Sequence, residues 1–236
     1  MNVNMYQNPI TQDNLSRLRE RGFSIVGPAS GPMACGDTGP GRLANIDLIM
    51  EAIQQMLGKS GDLTGKRIVV TAGGTREPID PIRYISNRSS GKMGYALAEA
   101  SRDRGANVVL ITAPTVLPSP IGMEVIEVES ALQMREEVLR VVRGADALIM
   151  AAAVADYRPT APLENKLKRE APTLKLELTK TPDILGEVRD DLLKVGFAAE
   201  SENLIENAKR KLEGKHLDLI VANNVTLSGS GFDVDT

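Results

Sequence analysis

Val70-Thr-Ala-Gly-Gly-Thr-Arg-Glu-Pro-Ile-Asp-Pro-Ile-Arg-Tyr-Ile-Ser-Asn-Arg-Ser-Ser-Gly-Lys-Met-Gly94 is the stretch on which the fold reading turns. It follows a β-branched run, Arg67-Ile-Val-Val70, and leads into a helix-like segment, Tyr95-Ala-Leu-Ala-Glu-Ala-Ser-Arg102. Two glycine clusters therefore bracket a polar loop at a strand-to-helix junction, where an open α/β sheet turns backbone N–H groups toward anions. The loop is far longer than a dinucleotide-binding turn. Its second cluster, Ser89-Ser-Gly-Lys-Met-Gly94, combines two hydroxyls, a run of amides and a helix start, a good phosphate cradle. It is not a Walker A loop: Ser86 stands where the first glycine belongs, and Met93 where Ser or Thr should follow the lysine.

Outward from this stretch, strands and helices alternate. Strands are expected at 67–72, 107–112, 123–127, 146–151, 173–178, 194–198 and 217–222, and helices at 91–104, 130–143, 183–193 and 202–213. The rhythm predicts an α/β, Rossmann-like, mainly parallel sheet with helices on both faces. Ala147-Leu-Ile-Met-Ala151 and Leu217-Asp-Leu-Ile-Val-Ala222 are apolar enough for central strands. No acidic residue closes the second strand, Asn107–Pro114, to hold a ribose, which argues against a nicotinamide cofactor. Tyr157–Pro172 breaks the rhythm with prolines and a basic cluster, Lys166-Leu-Lys-Arg169. It reads as an active-site flap or a protruding dimerisation arm.

Before Lys66 the texture differs. Helical spacing appears at Thr11–Arg21 and, with a glycine stop, over 43–58. Gly27–Arg42 holds too many glycines and prolines for a core element and reads as a functional loop or an unanchored arm. Gly58–Gly65 reads as a linker. The formal net charge is −3 and there is no long basic run, which speaks against a nucleic-acid partner. No apolar stretch is long enough to span a membrane, and the first residues lack a signal peptide's pattern. One cysteine, Cys35, excludes a disulfide framework and fits a reducing cytoplasm; one histidine, His216, excludes His-rich metal sites. Chemistry must then rest on Lys, Asp, Asn and backbone amides, with room for a divalent ion held by oxygens.

Several strand ends carry polar or glycine-rich loops. Asp156 follows the small-residue run Ala151-Ala-Ala-Val-Ala155, at the end of a buried strand where ligands bind in such sheets. It also fits a plain turn before Pro159. Lys166 and Lys168 suit either a solvated face or a basic flap beside a phosphate site. Thr181-Pro-Asp-Ile-Leu185 is a good helix start on structural grounds alone. Phe197 suits core packing or a base platform. Lys211 and Lys215 close a helix, where they complement its dipole or reach a triphosphate. Asn223 sits at another strand end.

Over residues 66–236 the chain resembles the phosphopantothenate–cysteine ligase (phosphopantothenoylcysteine synthetase) family of coenzyme A biosynthesis. The resemblance rests on Thr71–Thr75, Ile85–Gly94, Ala151–Arg158, Lys166-Leu-Lys168, Pro182–Leu185, Gly196-Phe-Ala-Ala-Glu200 and Ala222-Asn-Asn-Val225. Residues 1–42 resemble the end of the phosphopantothenoylcysteine decarboxylase that precedes the ligase in bacterial bifunctional enzymes, with Met33–Arg42 as its substrate clamp. Residues 43–65 would be a helix and linker. The resemblance implies CTP with Mg²⁺, 4′-phosphopantothenate and cysteine as substrates, an acyl-cytidylate intermediate, and a homodimer. It implies catalytic roles for Asn87 and Lys166, and phosphopantothenate binding by Gly73, Ser89, Gly91, Gly94 and Asn223. Around the nucleotide it implies Met150, Ala151, Ala152, Asp156, Lys166, Pro182, Asp183, Ile184, Leu185, Phe197, Lys211 and Lys215, with Asp156 and Asp183 as candidate metal carboxylates. Cys35 matches the decarboxylase's acid, but the flavin-binding body that would hold FMN is absent, so decarboxylation is not expected of this chain alone. Family members continue past Gly229–Phe232, which implies C-terminal truncation. Two other classes remain: a non-catalytic nucleotide-binding fragment and an NAD(P)-dependent oxidoreductase.

Overall fold

The computed structural model describes residues 1–168, 173–189, 191–200 and 202–224. The chain divides into two compact units, Met1–Leu57 and Gly58–Thr236. In the first, helices α1 (Val3–Gln7) and α2 (Pro9–Glu20) are capped by the side chains of Asn2 and Asn8, which accept from Met5 N and Ile10 N. Pro9 opens α2, where its missing N–H costs nothing. Gly27–Arg42 is not an unanchored arm. It forms an antiparallel hairpin, β1 (Ala29–Pro32) with β2 (Thr38–Arg42), carrying an irregularity between Ala29 and Ser30. The glycines and prolines that hid these strands are accommodated because the ribbon is only two strands wide, so every strand is an edge. Helix α3 (Ile46–Gly58) follows.

The second unit holds a six-stranded sheet in which every neighbouring pair is parallel. Its strands are β3 (Arg67–Ala72), β6 (Asn107–Thr112), β7 (Glu124–Glu127), β8 (Ala147–Met150), β11 (Leu193–Glu200) and β12 (Leu219–Asn224). Their order is β12-β11-β8-β3-β6-β7. Small antiparallel pairs, β4 (Arg76–Pro78) with β5 (Tyr84–Ser86) and β9 (Tyr157–Pro159) with β10 (Leu178–Lys180), lie outside it. Helices α4 (Lys92–Asp103), α5 (Ala131–Val141), α6 (Ile184–Glu187) and α7 (Leu204–Gly214) complete the unit.

The alternation of side chains along β3 and β6 explains the layers. Ile68, Val70 and Ala72 pack with Val108 and Leu110 against Tyr95 and Ala98 of α4. Val69, Val109 and Ile111 face the other way, onto Met134, Val138 and Val141 of α5, in a cluster that also takes Ile184, Leu185 and Leu217. Helices thus cover both faces, as the pattern predicts. The close approach of α4 to β3 depends on Gly94, where an added Cβ would lie 2.6 Å from Ala72 Cβ and 2.8 Å from Thr71 O. Gly94→Ala is expected to lose about 1–3 kcal/mol of stability through overpacking, read as a drop in Tm of about 2–4 °C per kcal/mol. An unchanged Tm would show that α4 can slide without cost.

Four expectations need correction. The helix expected at 183–193 is one turn, α6; Val188 is extended, and Val188 and Leu192 are drawn into the core as the chain enters β11. The strand expected at 173–178 is instead β10, three residues that pair with β9. Leu217–Ala222 is not central: β12 ends the sheet among the described residues, with Leu219 53% and Val221 39% exposed. Gly58–Gly65 is no free linker, because Leu63 N donates to Arg104 O at 3.0 Å and an added Cβ on Gly61 would lie 2.3 Å from the same oxygen. Among the described residues, no helix is long and apolar enough to cross a membrane.

Candidate active site

Between β3 and β8 the strand order reverses direction: β3 leads through α4 to β6 on one side, whereas β7 leads through α5 to β8 on the other. In such sheets the crevice at the carboxyl ends of these two strands is the ligand site. Two loops meet there. Gly73 has φ +78°, and an added Cβ would lie 2.7 Å from Ala113 O; at Gly74 it would lie 2.6 Å from Asn87 O. These glycines are required by the crossing of chains before any ligand is considered. Ala153 N donates to Gly73 O at 2.8 Å, and Thr75 N to Ala153 O at 3.3 Å, so the β8 loop is zipped to the β3 loop.

The extra length after Gly74 is the β4–β5 hairpin, fixed at every turn. Thr75 is fully buried, and its Oγ1 accepts from Ala155 N at 3.0 Å. Glu77, 1% exposed, places a carboxylate oxygen 2.9 Å from Ala131 N in the first turn of α5, where a negative charge is favoured. Arg76 stacks over Tyr84 at 4.7 Å. Asp80 closes the tip, accepting from Ile82 N and Arg83 N at 2.9 and 2.8 Å. At the exit, Asn87 Nδ2 donates to Val154 O at 3.0 Å. Thus Asn87 is held against the loop that runs from Ala151 to Asp156. Beyond it, Ser89 Oγ accepts from Gly91 N and Ser90 Oγ from Lys92 N, while Gly91 opens α4 with φ +80° and no side-chain cap. Gly73, Ser89, Gly91 and Gly94 are therefore gathered around the start of α4.

Of the expected nucleotide residues, Phe197, Lys211, Lys215, Asp183 and Asp156 are brought together near the ends of β8 and β11, whereas Lys166 is anchored only through its neighbour Leu167, at the tip of the β4–β5 hairpin. Lys211 Nζ reaches back from α7 to Phe197 O at 2.6 Å. Burial pushes its ammonium below the usual lysine range, against the opposing pull of Glu200 and Asp156. Lys215 ion-pairs with Asp183, whose other oxygen accepts from Gly186 N at 3.2 Å. Asp183 is thus engaged by a cation and a helix turn, whereas Asp156 is exposed and forms no ion pair among the described residues. Met150, Ile184 and Leu185 are buried core side chains, which leaves their backbone for any ligand. Ala151, Ala152, Pro182 and Phe197 are half-buried; Asn223 and Lys166 are exposed. Cys35 lies in the first unit, exposed, with Sγ 3.5 Å from Asp37 Oδ2.

Another cleft, of about 610 Å³, opens beside β6 and β7 and is lined by Glu127, Glu129, Glu136 and Glu137 among others. None of the expected site residues lines it, and four carboxylates make it a poor host for phosphates. Among the described residues no cluster of three or more His, Cys, Asp or Glu could hold a metal. Glu77, Asp80 and Arg83 carry no role in the sequence reading, yet they fix the hairpin. The Asp80-Pro-Ile-Arg83 turn was legible as such; its long-range partner was not.

Residues 63–236 match the family model described as the DNA/pantothenate metabolism flavoprotein C-terminal domain, and residues 1–58 match one described as Flavoprotein. The coenzyme A biosynthesis bifunctional protein CoaBC of Bacillus subtilis is 45% identical over all of this chain, which spans 60% of that relative's length. The crystal structure of the C-terminal domain of a coenzyme A biosynthesis bifunctional protein CoaBC, 46% identical, aligns over 69% of this chain and 79% of its own with a TM-score of 0.61. The DNA/pantothenate metabolism flavoprotein from Streptococcus pneumoniae, 28% identical, aligns over 68% of this chain and 82% of its own, also at 0.61. The parallel sheet, its reversal at β3 and β8 and these matches agree, and the chain belongs to the DNA/pantothenate metabolism flavoprotein C-terminal domain family.

Proposed function

We propose that residues 66–236 act in coenzyme A biosynthesis as a phosphopantothenate–cysteine ligase that uses CTP. The carboxylate of 4′-phosphopantothenate attacks the α-phosphorus, pyrophosphate leaves, and an acyl-cytidylate forms. The amine of cysteine then attacks the acyl carbon, loses a proton, and CMP departs. The observation that carries the reading is the bond from Asn87 to Val154 O. It joins the segment that would anchor the substrate phosphate to the loop that would face the nucleotide, so the two reactants meet at one switch point. Gly73, Ser89, Gly91 and Gly94 would take the phosphate, with Asn223 a further contact. Lys166, Lys211 and Lys215 would meet the triphosphate, whose Mg²⁺ would be held chiefly by phosphate oxygens, with Asp156 the better placed of the two carboxylates.

Residues 1–42 would belong to a decarboxylase whose FMN is held by the remainder of its flavoprotein domain, with Cys35 as its acid. The β9–β10 arm, with Tyr157, Leu163, Leu174, Leu176 and Leu178 exposed, is our candidate for a homodimer contact. The assay is direct. The chain is incubated with CTP, Mg²⁺, phosphopantothenate and cysteine, and pyrophosphate is followed. Omitting cysteine should leave a burst without turnover. Nucleotide binding without pyrophosphate would favour a binding-only fragment, and NADPH binding an oxidoreductase.

Lys211 supplies a check that does not depend on turnover. Its free-state pKa is depressed by burial, and a bound triphosphate would raise it. Binding at alkaline pH should therefore take up protons, and affinity should fall as pH rises toward the ordinary lysine range. Calorimetry in two buffers of different ionisation heat measures the uptake. Without ligand the sign is opposite to that of a lysine gaining a partner. The unfolded chain binds more protons between the depressed value and the ordinary one, so this group's contribution to stability rises with pH in that window.

A further inference from the structure

The tip of the β4–β5 hairpin grips a distant segment. The Asp80 carboxyl is wholly buried, and besides its own turn it accepts from Arg83 Nε at 2.9 Å, from Arg83's terminal nitrogen, and from Leu167 N at 3.1 Å. Arg83 in turn donates to Leu167 O at 2.8 Å. Both backbone groups of Leu167 are therefore held by one Asp–Arg pair, 87 and 84 residues away in sequence. Four residues earlier along this irregular segment, Leu163 N donates to Ile79 O at 2.9 Å. Leu167 stands between Lys166 and Lys168. A charged, bidentate fork is the most directional way to fix a backbone with side chains. Such a junction has little stabilising purpose on an exposed segment whose own side chains bury almost nothing; what it fixes is the point from which the two lysines depart.

We infer that Asp80, acting through Arg83 and Leu167, is a positioning residue that aims Lys166 at the site entered from Asn87. The inference rests on the ligase reading for the chemistry, but the clamp itself can be tested apart from it. One hairpin then serves both halves of the reaction: its tip sets the cation of the first step and its exit sets the amide of the second. Arg83 holds the Asp80 carboxyl well below the usual carboxylate range, so the clamp stays charged across any working pH.

The experiment uses the whole chain in two arms. In the first, trypsin digestion is followed by mass spectrometry in wild type, Asp80→Asn and Arg83→Lys. Cleavage of the Lys166–Leu167 bond should accelerate at least tenfold in both variants, while cleavage after Lys66, at the start of β3, stays unchanged. Equal rates at Leu167, or a parallel rise after Lys66, would overturn the clamp. In the second, the cysteine-free pyrophosphate burst is measured in Asp80→Asn, Lys166→Gln and the double variant. Asp80→Asn should slow the burst about tenfold or more, and the double variant should be no slower than Lys166→Gln, because residues acting through one another are not additive. A normal burst in Asp80→Asn, or losses that multiply, would overturn the positioning role. A wild type that never bursts while the first arm succeeds would overturn the ligase reading and leave the clamp standing.

Discussion

Lys166→Gln is expected to slow the cysteine-free pyrophosphate burst by about 10²–10³, the loss typical when one donor to a developing transition-state charge is removed. The size follows from where charge appears. In the proposed reaction, negative charge would build on the α-phosphate oxygens and on departing pyrophosphate as the carboxylate attacks, and a cation beside them would stabilise that state more than the ground state. The same residue is exposed in the free protein and forms no ion pair among the described residues. Its replacement should therefore leave stability within about 0.5 kcal/mol, the usual range for a surface change. A large kinetic effect with a negligible folding effect is the signature sought. Nucleotide affinity should fall less than the rate, since Lys211 and Lys215 remain. If the burst is unchanged, or if affinity and rate fall together by the same factor, Lys166 is a binding residue only. Lys168→Gln, on the other side of the clamped Leu167, is the internal comparison: a smaller effect there would separate aim from mere local charge.

The parallel sheet was legible because buried strands announce themselves. Ile68-Val-Val70 and Val108-Val-Leu-Ile111 are runs that suit a sheet covered on both faces, and the caps of α5 are spelled out by Ser130 and Gln133. The hairpins were harder. Arg76–Pro78 and Tyr84–Ser86 are three-residue strands without alternation, and Ala29–Pro32 with Thr38–Arg42 is built from residues that usually end strands. Short ladders of this kind are decided by side-chain bonds to distant backbone: Glu77 to Ala131, Thr75 to Ala155, Asp80 to Leu167. No local propensity encodes those. Helix 183–193 failed for a related reason. Thr181-Pro-Asp183 is a sound start, yet burying Val188 and Leu192 in the core took precedence over continuing the helix. Gly73 and Gly74 do sit at the switch point, but the chain's own crossings already forbid a side chain there.

Asn87→Asp should preserve the burst and lose amide formation by about a hundredfold or more. In the free structure one N–H of the side-chain amide is committed to Val154 O at 3.0 Å. The amide retains a second N–H, and in the proposed second step that donor would be the one to meet the acyl oxygen as cysteine attacks. Aspartate removes both donors while keeping the shape. Losing the bond to Val154 costs about 0.5–1.5 kcal/mol of stability for a typical hydrogen bond, which is too little to explain a hundredfold change in one step alone. The two roles of the side chain therefore predict different patterns. If Asn87 serves only to tie the hairpin exit to the β8 loop, phosphopantothenate and nucleotide are both misplaced, and the two steps fall together. If it donates to the acyl oxygen, acyl-cytidylate accumulates and can be trapped, because the first step needs no donor at that atom. Adding hydroxylamine after the burst discriminates between them. Hydroxamate formed by the variant in proportion to pyrophosphate released places the defect in the second step. Neither product appearing would reduce Asn87 to an anchor.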